Sequence, residues 1–227
     1  MTSSAVQVRP MRSTDLASVV AEHQESQPDG LYARLGDRFL HTYHSAYLAS
    51  PGTAAFVAEL DTRPVGFVTG IVSTAAHRLA MKEAWPRLAA AAALALLQRP
   101  ATLRPALLGP TAVSCLCHSA RLLQPSPPCA GTATATATAT ATGIVTYLAV
   151  TTTARGRGVG DALLQAFLHQ AQLRGCTKVT LATQAGAEGA APFYAHRGWT
   201  PESVHRTATG RPLQVMAWTY PPREVAQ

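Results

Sequence analysis

The chain has 227 residues, of which 47% are apolar and 14% charged, and it carries a net charge of +7. This composition allows a buried core and excludes collagen-like, coiled-coil and disulfide-scaffold proteins. The longest apolar run, at 88–97, is too short for a transmembrane helix, which needs roughly 20 residues.

The N-terminal part of the chain predicts short, alternating elements. An apolar and polar alternation indicates a first strand, Ser13 begins a helix, and aromatic residues at helical spacing predict a second helix. Two β-branched runs then read as a hairpin. The predicted elements are a strand at 5–9, helices at 13–26 and 33–49, and hairpin strands at 54–60 and 65–72.

Residues 73–142 differ in composition from the rest of the chain, with six basic residues against one acidic residue. The Ala/Leu-rich stretch at 85–98 predicts a helix. The Thr-Ala repeat at 132–142 contains no large apolar side chain, so it can bury little surface, and we predict a linker there. A strand is the alternative reading of its alternation.

The C-terminal part predicts strands that alternate with helices. The elements are a strand at 144–150, a helix ending near 174, a strand at 178–184, a short helix at 190–197, and strands from 199 and at 213–219. Such alternation implies a partly parallel sheet with helices on both faces.

A glycine-rich turn between the strand at 144–150 and the following helix is the sharpest chemical motif. Its glycines, at 156, 158 and 160, allow a close approach to the backbone, and the amides at a helix N-terminus favour an anion such as phosphate. A Walker A loop is excluded because Asp161 stands where Lys is needed, and the dinucleotide fingerprint is excluded by Leu163. A tight turn without a ligand remains the alternative.

Two motifs together resemble the GNAT superfamily of acyl-CoA-dependent N-acyltransferases. The first is Arg155-x-x-Gly158-x-Gly160 after a strand, and the second is Phe193-Tyr194 followed by Gly198-Trp199. The resemblance covers 5–72 in element order and 143–220 in motif. It implies an α/β fold with a GNAT-like mixed, partly parallel sheet flanked by helices on both faces. We expect a single domain over 1–227, interrupted by a helical and low-complexity insertion at about 73–142.

The resemblance also implies a function. We expect a cytoplasmic enzyme that moves an acetyl group from acetyl-CoA, the acyl donor, to a primary amine of a small molecule such as an amino sugar or an aminated natural product. A protein N-terminus or lysine is the alternative acceptor. The alternative from another class is a non-catalytic acyl-CoA-binding module.

Site residues follow from the matching motif positions. In the family, the strand end lies beside the pantetheine arm, the loop amides hold the pyrophosphate, and the aromatic pair flanks the thioester. The implied cofactor-binding residues are Leu148, Ala149, Val150, Arg155, Gly156, Arg157, Gly158, Val159, Gly160, Asp161 and Phe193. Tyr194 is the implied catalytic residue, because its hydroxyl can return a proton to the leaving thiolate.

The sequence departs from the family pattern in two places. Ala187 stands where many members have an asparagine, and residues 144–147 lack the glutamate that can relay the proton of the amine. The base must therefore be another residue or solvent. His23, Glu25 and Asp29 are the acceptor-side candidates, and their alternative reading is ordinary solvated helix or turn residues.

The composition of the chain also bears on a metal site, nucleic acid and the role of the insertion. Four cysteines without paired spacing predict no metal site, and the near absence of lysine argues against nucleic acid. The first residues lack an apolar signal segment, which supports the cytoplasmic prediction. For the basic insertion we expect a peripheral membrane contact, a homodimer contact or a cover over the acceptor pocket, with a plain surface excursion as the alternative.

Overall fold

The computed structural model describes residues 5–28, 30–98, 141–186, 189–206 and 210–221. The acceptor-side candidate Asp29, the departure at Ala187 and the Thr-Ala repeat up to residue 140 lie outside these described residues.

The described residues form a seven-stranded sheet with the order β1-β2-β3-β4-β5-β7-β6. Its strands are β1 (Gln7–Pro10), β2 (Thr53–Leu60), β3 (Arg63–Ile71), β4 (Thr142–Val150), β5 (Lys178–Gln184), β6 (Thr200–Arg206) and β7 (Pro212–Thr219). Only the β4–β5 pair is parallel among these strands. The prediction of a mixed, partly parallel sheet is confirmed.

Helices cover both faces of the sheet, as predicted. They are α1 (Leu16–Ser26), α2 (Leu31–Arg34), α3 (Asp37–Ala49), α4 (Thr74–Gln98), α5 (Val159–Leu173) and α6 (Ala191–Ala195). The apolar face of α5, including Leu163 and Phe167, packs on one face of the sheet. Residues of α1, α3 and α4 pack on the other face. None of the helices in the described ranges combines the length and apolar character needed to cross a bilayer.

Strands β4 and β5 pair over only part of their lengths. The register joins Thr142 to Lys178 and ends at the pair Ile144 and Thr180, although β4 continues to Val150. Beyond that pair the two strands separate, and a gap opens in the sheet toward the end of β4. A register shift at Thr69 and Gly70 of β3 places a bulge in β4 near Thr146, two residues beyond the last pair with β5.

Two predicted helix boundaries were wrong. The helix predicted at 33–49 is divided, because Gly36 has φ 86° and ends α2 before α3 begins. The helix predicted from residue 85 begins at Thr74 and runs through Pro86. Packing explains its length, since Leu88, Ala91 and Ala95 are buried in one cluster with residues of α3.

The bulged region of β3 and β4 leaves no room for a side chain at Gly70. A Cβ there would lie inside contact distance of the Phe167 ring and of the Ile144 carbonyl oxygen, and the carbonyl belongs to the backbone of β4. We therefore expect Gly70→Ala to lower the free energy of unfolding by about 3 kcal/mol, at the upper end of overpacking effects.

Urea unfolding would measure that change, with Gly143→Ala on β4 as the matched control. The nearest atoms to a Cβ at Gly143 belong to the side chains of Val179 and Cys176, at 3.3 and 3.4 Å, so a smaller loss is expected there. Equal losses in the two variants would contradict the packing argument.

Candidate active site

The glycine-rich turn presents bare backbone amides at the N-terminus of α5. Gly156 and Gly158 have φ of 74° and 78°, and Gly158 is the residue that precedes the helix. A Cβ at either glycine would meet nothing within 4 Å, so this side of the loop faces open space. None of the described residues accepts a hydrogen bond from the amides of residues 156–161. The loop therefore fits an anion held by N–H groups and the helix dipole.

The end of β4 offers backbone groups to the gap beside β5, and one of them, the Val150 carbonyl, accepts a hydrogen bond from Nε of Arg155 at 3.2 Å. The Thr151 amide donates to the Val65 carbonyl at 2.9 Å, so its N–H points toward β3. Because backbone groups alternate along a strand, those of Val150 and Leu148 point toward β5, whereas those of Ala149 point toward β3. Pairing with β5 has already ended there. The gap therefore fits an extended chain that carries amide groups, with the backbone groups of Leu148 and the amide of Val150 as its partners.

Three elements meet beside the glycine loop. The Phe193 ring lies 3.4 Å from the position of a Cβ at Gly160, and a Val150 methyl lies 3.8 Å from the same position. The structure thus brings together the end of β4, the first turn of α5 and α6. Among the predicted residues, Val150, Gly160 and Phe193 lie side by side, whereas the side chains of Ala149 and Val159 are buried in the core.

Tyr194 is buried next to Phe193 and Trp199, with ring centroids 5.1 and 5.7 Å away. Burial raises the pKa of its hydroxyl to about 12. The group is therefore protonated at neutral pH and can donate a hydrogen bond or a proton, but it cannot act as a base.

His23 is buried between α1, α3 and β4, not solvated. Its Nδ1 lies 3.0 Å from Nε2 of His44, and its ring centroid lies 4.4 Å from that of Tyr147 on β4. Burial lowers the pKa of His23 to about 4 and that of His44 to about 3, with a further lowering of His44 by the charges of His23 and His41. Both rings are therefore neutral at pH 7.

The other carboxylates of α1 differ in their surroundings. Glu25 is exposed, and Asp29 lies outside the described residues. Glu22 is buried and lines a small cleft with Ser18 and Thr151, whose hydroxyl is buried without a described hydrogen-bond partner. Burial, and to a smaller extent the charge of Glu25, raises the pKa of Glu22. Glu22 is thus a better-matched proton acceptor at neutral pH than an ordinary surface carboxylate.

The family comparison agrees with this geometry. Residues 118–199, which include the glycine loop and the aromatic pair, match the model of the Acetyltransferase (GNAT) family. Over these residues the chain is similar to GNAT acetyltransferases. No curated protein matches the sequence.

Solved structures share the GNAT fold at low sequence identity. An aminoglycoside 6'-N-acetyltransferase complexed with coenzyme A matches with a TM-score of 0.58 and 12% identity, over 96% of this chain and 99% of that chain. Ard1 from Thermoplasma volcanium matches with a TM-score of 0.55 and 16% identity, over 96% of this chain and 99% of that chain. The ribosomal-protein-S18-alanine N-acetyltransferase from Escherichia coli matches with a TM-score of 0.51 and 14% identity, over 98% of this chain and 100% of that chain.

These findings confirm the GNAT resemblance and the fold. One structure with this fold, an aminoglycoside 6'-N-acetyltransferase, is complexed with coenzyme A. Two of these neighbours are named for different acceptors, an aminoglycoside and an alanine of a ribosomal protein, so the fold does not fix the acceptor class.

Sequence reasoning missed three residues of this candidate site. Glu22 precedes the acceptor-side candidate His23, and His44 lies in the helix predicted at 33–49, but only the packing shows that both are buried. Arg197 contacts both Asp161 and Phe193. Its position three residues after Tyr194 is the one signal in the sequence that could have drawn attention to it.

Proposed function

We propose that the chain transfers an acetyl group from acetyl-CoA to the primary amine of a small molecule, such as an amino sugar or an aminated natural product. The observation that carries the proposal is the continuity of the bare amides at residues 156–161 with the gap beside β4. An anion and an extended amide-bearing arm are the two parts of coenzyme A that such a surface accommodates.

The chain's own residues would divide the binding work. The amides of residues 156–161 hold the pyrophosphate, and the backbone groups of Leu148 and the amide of Val150 hydrogen-bond the pantetheine arm. Phe193 closes the gap from the side of α6, where it already packs against Gly160. A fixed N–H facing the gap also stabilises negative charge on a carbonyl oxygen, because it needs no reorganisation during the reaction.

Proton movements complete the proposed chemistry. Acetyl-CoA supplies the acyl group as a thioester, at which the amine nitrogen replaces the thiolate. The Tyr194 hydroxyl, held protonated by burial, donates to the departing sulfur. Among the described residues of α1, the Glu22 carboxylate is the matched destination for the proton of the amine, because burial raises its pKa, whereas burial lowers the pKa of His23 to about 4 and opposes its protonation.

Replacement of Tyr194 by phenylalanine tests this role. We expect kcat to fall roughly 100-fold, in the range of lost acid–base catalysis, with the Kd for coenzyme A nearly unchanged. The matched control is Tyr220→Phe, because the Tyr220 hydroxyl donates to the Leu168 carbonyl at 2.6 Å and serves α5 instead. That control should lose stability but keep kcat. A large loss of coenzyme A affinity in Tyr194→Phe would assign the residue to binding or packing.

The experiment that tests the function is thiol release from acetyl-CoA with a panel of amines. A small amino sugar or aminated natural product that raises the release rate in proportion to its concentration would support the proposal. Faster release with a peptide N-terminus or a lysine peptide would move the acceptor to proteins. Binding of acetyl-CoA without release by any amine would favour the non-catalytic module.

A further inference from the structure

The first turn of α5 contains a charge that opposes the proposed ligand. Asp161 stands within the run of bare amides, and its side chain is 43% exposed. A carboxylate stabilises a helix at this position by interacting with the helix dipole. The same carboxylate repels a second anion bound at the same amides, since the two negative charges lie within one Debye length, about 8 Å at physiological salt.

Arg197 meets this carboxylate from the turn after α6. Its Nε lies 2.6 Å from Oδ1 of Asp161, and the two side chains are 29% and 43% exposed. One terminal nitrogen donates to the Phe193 carbonyl at 3.0 Å, and the guanidinium carbon lies 3.8 Å from the centroid of the Phe193 ring. Arg197 is therefore fixed at three points beside the loop.

We propose that Arg197 is a positioning residue that neutralises Asp161, so that the N-terminus of α5 accepts the pyrophosphate of an acyl-CoA. The inference rests on the proposed function. Asp161 secures the helix and anchors Arg197, while Arg197 cancels the charge that would otherwise face the ligand. The pair is partly exposed, so water screens its charges, and each charge changes the affinity roughly two- to fivefold.

A double-mutant cycle with coenzyme A as the probe gives a different sign for each variant. In Arg197→Gln the Asp161 carboxylate is uncompensated, so the Kd rises. In Asp161→Asn the Arg197 cation is unpaired beside the ligand, so the Kd falls. In the double variant both charges are gone, and the Kd returns close to that of the unmodified protein. Isothermal titration calorimetry would measure the four values.

A purely structural role for Arg197 predicts another pattern. If Arg197 only braces Phe193, the double variant binds as weakly as Arg197→Gln, and that result would overturn the inference. The charge effect should also shrink between 50 and 500 mM NaCl and be absent with pantetheine, which has no pyrophosphate. If Arg197→Gln does not fold, the Asp161→Asn variant still tests the inference. Unchanged or weaker binding of coenzyme A by Asp161→Asn would contradict the neutralisation of Asp161 by Arg197.

The same titrations separate this inference from the proposed function. No binding of coenzyme A by the folded, unmodified chain would reject the function itself. Binding by the unmodified chain with an unaffected Arg197→Gln variant would reject only the role of Arg197.

Discussion

Replacing Gly158 with glutamate is expected to abolish binding of acetyl-CoA while the fold remains. Gly158 precedes α5 with φ of 78°, and a side chain there would project into open space instead of into the core. Glutamate would bring a carboxylate to the amides that the pyrophosphate needs, and the left-handed backbone would add a strain of roughly 1–2 kcal/mol. The charge and the occupied space act on the ligand, whereas the strain acts on the fold.

A thermal shift with acetyl-CoA separates these two effects. At a hundredfold excess over its Kd, a ligand adds about 2.7 kcal/mol, or roughly 5–11 °C in Tm for a chain of this size. Gly158→Gln is the matched control, because it has the same strain and bulk without the charge. We expect the shift to be lost in Gly158→Glu and partly kept in Gly158→Gln. A full shift in Gly158→Glu would show that the pyrophosphate binds elsewhere.

Acidification is expected to destabilise the chain strongly between pH 7 and pH 4. His23, His44 and His77 are buried, and burial lowers their pKa values to about 4, 3 and 4. The unfolded chain takes up protons below pH 6.5 that the native state refuses, so stability falls as the pH falls. Each of these histidines then lowers the free energy of unfolding by about 2 kcal/mol at pH 5. The raised pKa of Glu22 acts in the opposite direction, because its protonated form is the one that burial favours.

Urea unfolding at pH 7.5 and pH 5.0 would measure this loss, which we expect to total about 6 kcal/mol for the three histidines. His77→Leu removes one of them, a ring that packs 4.8 Å from Tyr47, and should reduce the loss by about 2 kcal/mol. His169→Gln on the exposed side of α5 is the control and should leave the loss unchanged. Equal losses in His77→Leu and the unmodified chain would contradict a buried, neutral His77.

Local chemistry explains why the strand, the glycine turn and the helix that follows could be predicted from the sequence. A strand, a turn with glycines at alternate positions and an amphipathic helix follow one another without interruption from residue 142 to 173. The positive φ of Gly156 and Gly158 is a property that only glycine adopts freely, so the residue type itself reports the backbone. The glycine motif in the sequence therefore predicts the backbone conformation of this loop directly.

The contacts of His23 and of Arg197 could not be predicted in this way, because they join distant parts of the chain. His23 and His44 are 21 residues apart and meet only when α1 and α3 pack together on β4. Arg197 and Asp161 are 36 residues apart and meet through α6. Residues so far apart are not related by the periodicity of a helix or a strand, so a sequence pattern does not reveal these contacts. The start of α4 was missed for a related reason, since its packing against α3 outweighs Pro86 as a helix breaker.

The burial of one face of α4 sets a limit on how the chain can be shortened. Residues 73–142 look in sequence like a removable segment, yet Leu88, Ala91 and Ala95 share a cluster with Tyr43 and Tyr47. Deleting the whole segment would expose that aromatic face of α3 to water, and an exposed apolar patch of this kind promotes aggregation. A minimal version of the protein for crystallisation or engineering should therefore keep the chain through Gln98.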